Sequence, residues 1–213
     1  MPGSRAVTRQ HSITAAGRAR RGELAAVAYA QIAARGLEGL RIREVAREAG
    51  INHATLLHYC PTKEDLIEAV VDHLLTLLMS PATQAPAPGA GAIAQLRHEL
   101  ADIGVRLEQQ QGLFRVLTEL QSRGARDPAV AAALARLDAA WHSYLAGIVR
   151  AGVGTGELRA GLDPDRAARL LMVLFRGLGL EALRRPGEAP ALAAGPPGLI
   201  AEAATLLDRW LRP

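Results

Sequence analysis

The sequence predicts an all-α fold, and two observations carry that expectation. Aromatic residues make up only 3% of the 213-residue chain, so side chains that favour strands are scarce. No alternation of apolar and polar residues runs long enough for a half-buried strand, whereas apolar residues recur every three or four positions. Hydrophobic residues are 49% of the chain and mean hydropathy is near zero, which is enough for a core in one or two small domains.

Taken in order, the chain opens with a basic stretch. No acidic residue precedes Glu23, and Arg5, Arg9, Arg18, Arg20 and Arg21 stand among Ser, Thr and Gly. Residues 1–19 therefore read as a basic flexible arm, either a solvated tail or a segment that touches DNA. A first helix is expected over about 20–35, with Leu24, Val27, Ala28 and Ile32 as its inner stripe and a stop at Gly36.

The stretch from Arg41 to Leu66 reads as two short helices at a tight turn, then the capped start of a third. Ile42, Val45, Ala46 and Ala49 have helical spacing, and Gly50 follows where a helix leaves through a left-handed residue. Asn52 caps the second helix and Leu56 anchors it inward. That leaves Ala54, Thr55, Leu57 and His58 on an outward arc, with His53 in the first turn. Small and polar groups on such an arc suit a major groove. Leu57 either meets a thymine methyl or packs on the neighbouring turn. Thr62 and Asp65 form a capping box after Pro61, and Lys63 puts a cation within reach of phosphate. Leu66, Val70, Leu74, Leu77 and Leu78 continue that helix, so residues 20–79 form a three-helix head with its connecting helix.

Residues 80–91, rich in Pro, Gly and Ala, form a linker, and residues 92–213 form the second domain. Its helices are expected at 92–110, 113–123, 127–152, 164–184 and 198–211. Asp127-Pro128 and Asp163-Pro164 each place a capping carboxylate before a proline at the first helical position, where a missing N–H costs nothing. The span 184–198 is rich in helix breakers and is expected to be loose. Residues 168–183 are apolar around most of a helical circumference, which implies a second buried face and hence a partner. Gly177 and Gly179 would admit a second helix closely. Leu174, Gly177, Leu178, Leu206 and Trp210 are the expected contacts of an intersubunit four-helix bundle.

The net charge of +4 is confined to the head: residues 1–65 carry 10 Lys or Arg against 6 Asp or Glu, and the remainder carries 15 of each. A single cysteine excludes an internal disulfide framework, and no paired Cys or His suggests zinc. Cys60 reads as a small buried hydrophobe or a redox switch. Asp138 and His142, four apart, read as a surface pair, and no Glu-x-x-His tetrapeptide suggests a di-iron bundle. There is no Gly-rich phosphate loop and no nucleophile elbow, so neither an enzyme nor a cofactor is expected. The start lacks the apolar run of a signal peptide and no apolar run is long enough for a membrane span, which makes a cytoplasmic location the default expectation.

Arg43, Val45, Ala46, Ala49, Gly50, Thr55, Leu56, His58, Pro61, Lys63 and Glu64 carry a resemblance to the tetracycline-repressor (TetR) family of bacterial regulators. The resemblance covers Leu24 to about Val71, and the stretch from Gly156 to Leu178 looks like the family's C-terminal domain. Three positions depart from the pattern. Arg41 stands where the family has a capping Thr or Ser, Leu57 where it has a phosphate-binding Tyr, and Cys60 where it has Phe. The resemblance implies a homodimeric transcriptional repressor on a palindromic double-stranded DNA operator, released by a small effector. DNA contacts are then expected from Arg41, Arg43, Asn52, His53, Ala54, Thr55, Leu57, His58, Tyr59 and Lys63. A cavity among Phe114, Leu117, Trp141, Tyr144, Met172 and Phe175 would be mostly apolar with a hydroxyl and an indole N–H. That it binds an inducer is implied by the resemblance alone. The rival expectation is an all-α small-molecule enzyme or carrier with a vestigial head.

Overall fold

The computed structural model describes residues 15–184 and 198–212. Among the described residues every regular element is helical: α1 (Ala15–Arg35), α2 (Ile42–Glu48), α3 (His53–Tyr59), α4 (Lys63–Met79), α5 (Ala92–Gln109), α6 (Gln111–Gly124), α7 (Pro128–Thr155), α8 (Pro164–Arg184) and α9 (Leu199–Leu211), with a 3-10 turn at Leu37–Gly39.

Local sequence explains most of the boundaries. Gly36 ends α1 at φ 73°, and Gly50 ends α2 at φ 68°. At Gly50 the backbone closes a Schellman turn, with Ile51 N–H donating to Ala46 O at 2.9 Å and Gly50 N–H to Arg47 O at 3.2 Å. Asn52 Oδ1 accepts Thr55 N–H at 2.7 Å, and Thr62 and Asp65 complete the capping box of α4. Asp127 and Asp163 cap α7 and α8 through their side chains as their prolines suggest.

Helix α7 runs to Thr155, three residues past its expected end, and the largest difference from expectation is at the start of α1. Helix α1 begins by Ala15, so Arg18 belongs to a helix and not to an extended arm. Its neighbours Arg20 and Arg21 are tertiary clasps: Arg20 reaches Ala49 O at 3.3 Å, and Arg21 reaches Asp65 O at 3.2 Å and Asp72 at 3.4 Å. Local sequence cannot reveal partners 29 to 51 residues away. Arg5, Arg9 and most of the span between α8 and α9 lie outside the described residues.

Leu24, Ala28 and Ile32 of α1 meet Val45, Leu56, Leu66 and Val70 in the head's core, and Cys60 completes it, fully buried. Burial pushes the Cys60 thiol pKa up, as for a side chain that fills space, although nearby Arg21 opposes the shift. The core continues without a break through α4 into the second domain, where α5 to α8 pack around Leu96, Leu113, Leu145 and Phe175.

The connection after α4 is fastened to α5. Asp102 accepts Ala82 N–H at 2.9 Å, Thr83 N–H at 2.8 Å and the Thr83 hydroxyl, while the Arg106 guanidinium donates to Ser80 O.

Candidate nucleic-acid interface and effector cavity

The outer face of α3 and its approaches gathers the exposed residues Arg43, Asn52, His53, Ala54 and His58, with Thr55, Tyr59 and Lys63 half-buried beside them. The His58 and Tyr59 rings meet edge to face at 5.2 Å. Leu57 is half-buried and packs against the core. Asn52 spends its side-chain oxygen on the helix cap, so its amide NH2 is the part left to meet a base or phosphate. Arg41, expected to face phosphate, folds back and donates to Glu38 O and, at 3.3 Å, to Leu40 O. Exposed Arg47 adds a cation on the same side, paired loosely with Glu48 at 3.7 Å.

Below the head, α5, α6, α7 and α8 enclose a cavity of 360 Å³ that reaches Leu78 at the end of α4. Phe114, Leu117, Trp141 and Phe175 line it as expected, and Trp141 stacks on Phe175 at 5.9 Å. Two expected residues lie elsewhere. Met172 is buried in the core without reaching this cavity. Tyr144 lines a smaller neighbouring recess of 150 Å³, where its hydroxyl donates to Glu99 Oε1 at 2.8 Å.

Sequence reasoning missed the charged wall: Glu99, Asp102 and Arg106 from α5 and Arg176 from α8. A signal was present, since 99, 102 and 106 lie at i, i+3 and i+7 between the apolar positions Leu96, Leu100 and Ile103. Burial pushes the Glu99 carboxyl pKa up, partly opposed by the Tyr144 hydrogen bond, and burial together with Glu99 pushes the Tyr144 phenol up. Asp138 and His142 do not pair with each other. Asp138 accepts from Arg176, and His142 Nε2 lies 3.1 Å from Asp165 O, so both side chains clasp α8.

Helix α6 has two working faces. Phe114, Leu117, Thr118, Gln121 and Ser122 wall the cavity. On the opposite side Arg115 donates to Ala33 O at 2.8 Å and Glu119 accepts Leu37 N–H at 3.2 Å. Gly112 lets α6 come this close, since a Cβ there would stand 3.1 Å from that of Ala33.

Helices α8 and α9 leave an apolar face in solvent, with Leu170 57%, Val173 63% and Leu206 60% exposed beside half-buried Leu174 and Trp210. Two expected contacts of that face are corrected. Leu178 is only 5% exposed and belongs to the protomer's own core. Gly179 receives the Phe114 ring of α6, which leaves no room for a Cβ, whereas a Cβ at Gly177 would meet nothing within 4 Å.

A helix-turn-helix head joined to a helical body that encloses a mainly apolar cavity is the build of a bacterial transcriptional regulator. Residues 24–70 match the family described as bacterial regulatory proteins, tetR family, and residues 83–206 match the BetI-type transcriptional repressor C-terminal domain. The second match alone covers more than half of the chain, and the protein belongs to the TetR family. The nucleoid occlusion factor SlmA of Haemophilus influenzae (strain PittGG) is 30% identical over 84 residues, 39% of this chain and 38% of that protein. The chain thus spans well under half the length of that relative. The HTH-type transcriptional repressor DrrR1 of Streptomyces coeruleorubidus is 27% identical over 185 residues, 78% of this chain and 65% of that protein. A TetR transcriptional regulator from Chloroflexus aurantiacus J-10-FL superposes with a TM-score of 0.73 at 19% identity, covering 93% of this chain and 99% of that one, a likeness of fold. No helix among the described residues is long and apolar enough to cross a membrane.

Proposed function

We propose that this protein is a homodimeric transcriptional repressor whose α3 helices enter successive major grooves of a palindromic operator, and that a small, largely hydrophobic effector in the 360 Å³ cavity releases it. The observation that carries this reading is the double duty of α6, which walls the cavity on one face and holds the end of α1 and the Leu37 backbone on the other. An effector that binds one placement of α6 better than another shifts the head by that difference in affinity. The exposed leucines of α8 and α9 supply a self-complementary face for the dimer.

The test is a gel shift with the DNA that flanks the protein's own gene. The parent should retard one fragment specifically. His58→Ala should cost about 1 to 3 kcal/mol at one symmetric pair of positions if its imidazole reads a base edge. Equal affinity for every fragment at physiological salt would count against a regulatory head and favour the enzyme or carrier alternative.

A further inference from the structure

Guanidinium charge on the cavity wall is only partly offset within the chain. Arg106 is 4% exposed, and its two acceptors, Ser80 O and, at 3.1 Å, Gln110 Oε1, are neutral. Arg176 pairs through Nη2 with Asp138, which lies outside the wall with its side chain 41% exposed, so water screens that carboxylate. Of the two carboxylates on the wall, Asp102 has both oxygens taken by the 82–83 backbone and the Thr83 hydroxyl. Glu99 accepts from Tyr144, and burial favours its neutral form.

Arg176 also holds unspent donors. Nη2 is the only guanidinium nitrogen that donates to a described residue, and the Nε–H is sealed from solvent without an acceptor, a costly condition for a buried polar group. The guanidinium lies 5.8 Å over the Trp141 ring, so the aromatic face that a ligand cation would use is taken. Exposed Gln121, Ser122, Gly177 and Leu180 mark where the cavity opens, and Arg176, its side chain 30% exposed overall, stands next to Gly177 on α8. Leu113, Leu117, Leu137, Phe114 and Phe175 form a buried apolar wall. An apolar body can lie dry against them while an anionic head meets the guanidinium near the opening, where it keeps part of its hydration.

We propose that the effector is an amphipathic anion, an apolar body carrying one carboxylate, and that the unspent N–H donors of Arg176 receive that carboxylate. This rests on the reading that the cavity takes the effector. Three probes with one chain length test it by calorimetric titration of the full protein at about pH 7.5, where a carboxylic acid is ionised: octanoate, octan-1-ol and octyltrimethylammonium. Octanoate should bind at least about tenfold more tightly than either of the others. In Arg176→Met, which keeps an apolar side chain and removes the donors and the charge, the ratio of octanoate to octan-1-ol affinity should fall at least about threefold. A smaller margin in the parent, or a reversed order, overturns the proposal while the cavity reading stands. A smaller fall of the ratio in the variant removes Arg176 from recognition and overturns it too. The order in the parent needs no variant, so it decides the matter should loss of the Asp138 pair unfold Arg176→Met. Failure of all three probes to bind below the concentration at which each forms micelles or leaves solution overturns both the proposal and the cavity reading.

Discussion

The carboxylate of Glu119 accepts the backbone N–H of Leu37 at 3.2 Å, joining residues 82 positions apart across the boundary between head and body. Leu37 sits in the turn between α1 and α2 and is 4% exposed, so this bond ties α6 to the head at that turn. Glu119→Ala should remove this bond at a cost of about 1 kcal/mol, seen as a fall in Tm of roughly 2 to 4 °C for a chain of this size. Its affinity for an apolar cavity probe such as octan-1-ol should stay within twofold of the parent, while any loss of operator affinity that the probe causes in the parent should shrink. A variant that responds to the ligand as fully as the parent would show that the signal leaves the cavity by another route.

The apolar face of α8 and α9 makes a prediction about assembly. Leu206→Glu changes an exposed residue, so the protomer's Tm should move little. In a two-fold interface the change counts twice, and dimerisation should weaken by about 100-fold or more, with operator affinity falling alongside. Sedimentation at micromolar concentration reads this directly. A variant that remains a dimer would place the interface elsewhere.

Burial of Glu99 sets a pH dependence with a definite sign. Its folded-state pKa is raised above the unfolded value, so between the two the native state binds more protons than the unfolded chain, and stability falls as pH rises through that window. Glu99→Gln keeps an acceptor for Tyr144 and removes the titration. Its gain in Tm over the parent should be largest near neutral pH and fade as pH falls to about 4, where both states of the parent are protonated. Calorimetry between pH 4 and pH 8 checks it. A parent that gains on the variant as pH rises would mean that ionised Glu99 has a compensating cation.

Salt dependence separates arginines that clasp the fold from arginines that meet phosphate. Arg20 and Arg21 are tied to Ala49, Asp65 and Asp72, and the sequence before α1 carries two further arginines, Arg5 and Arg9. Two contacts per subunit are four per dimer, and deleting residues 1–14 should flatten the slope of log affinity against log salt by about three to four units. Anisotropy of labelled operator at several salt concentrations measures it. A slope within one unit of the parent's would make the segment a solvated tail.

What the sequence made legible was whatever depends on neighbours within one turn. Gly50, Asn52, Thr62 with Asp65, and the two Asp-Pro pairs act on backbone within about four residues, so the boundaries they mark could be read almost to the residue, whereas the start of α1 and the end of α7, which lack such marks, were placed several residues short. The outward arc of α3 followed from the same periodicity, and the structure exposes His53, Ala54 and His58 on it. The body was harder because its contacts are tertiary. Large aromatics were a fair guide to the cavity, yet Tyr144 is drawn aside by Glu99 and Met172 is spent in the core. The charged wall escaped notice because its ions are paired with distant backbone, as Asp102 is with residues 82 and 83. Leu178 and Gly179 read as outward-facing only while the position of Phe114 was unknown.

The clasp of Asp102 and Arg106 on residues 80–83 also governs where the chain tolerates change. Twelve residues separate α4 from α5, and in the folded state the first four are fastened to α5, which leaves the slack of the connection in the remaining eight. Because closure entropy grows slowly with length, extra residues placed near the exposed Gly89 turn should cost only a few tenths of a kcal/mol. The same insertion at Pro81 would have to tear Ser80, Ala82 and Thr83 from their partners. A peptide tag or fluorescent reporter therefore belongs at residues 87–89, where it can be added without disturbing the seam between the two halves of the molecule.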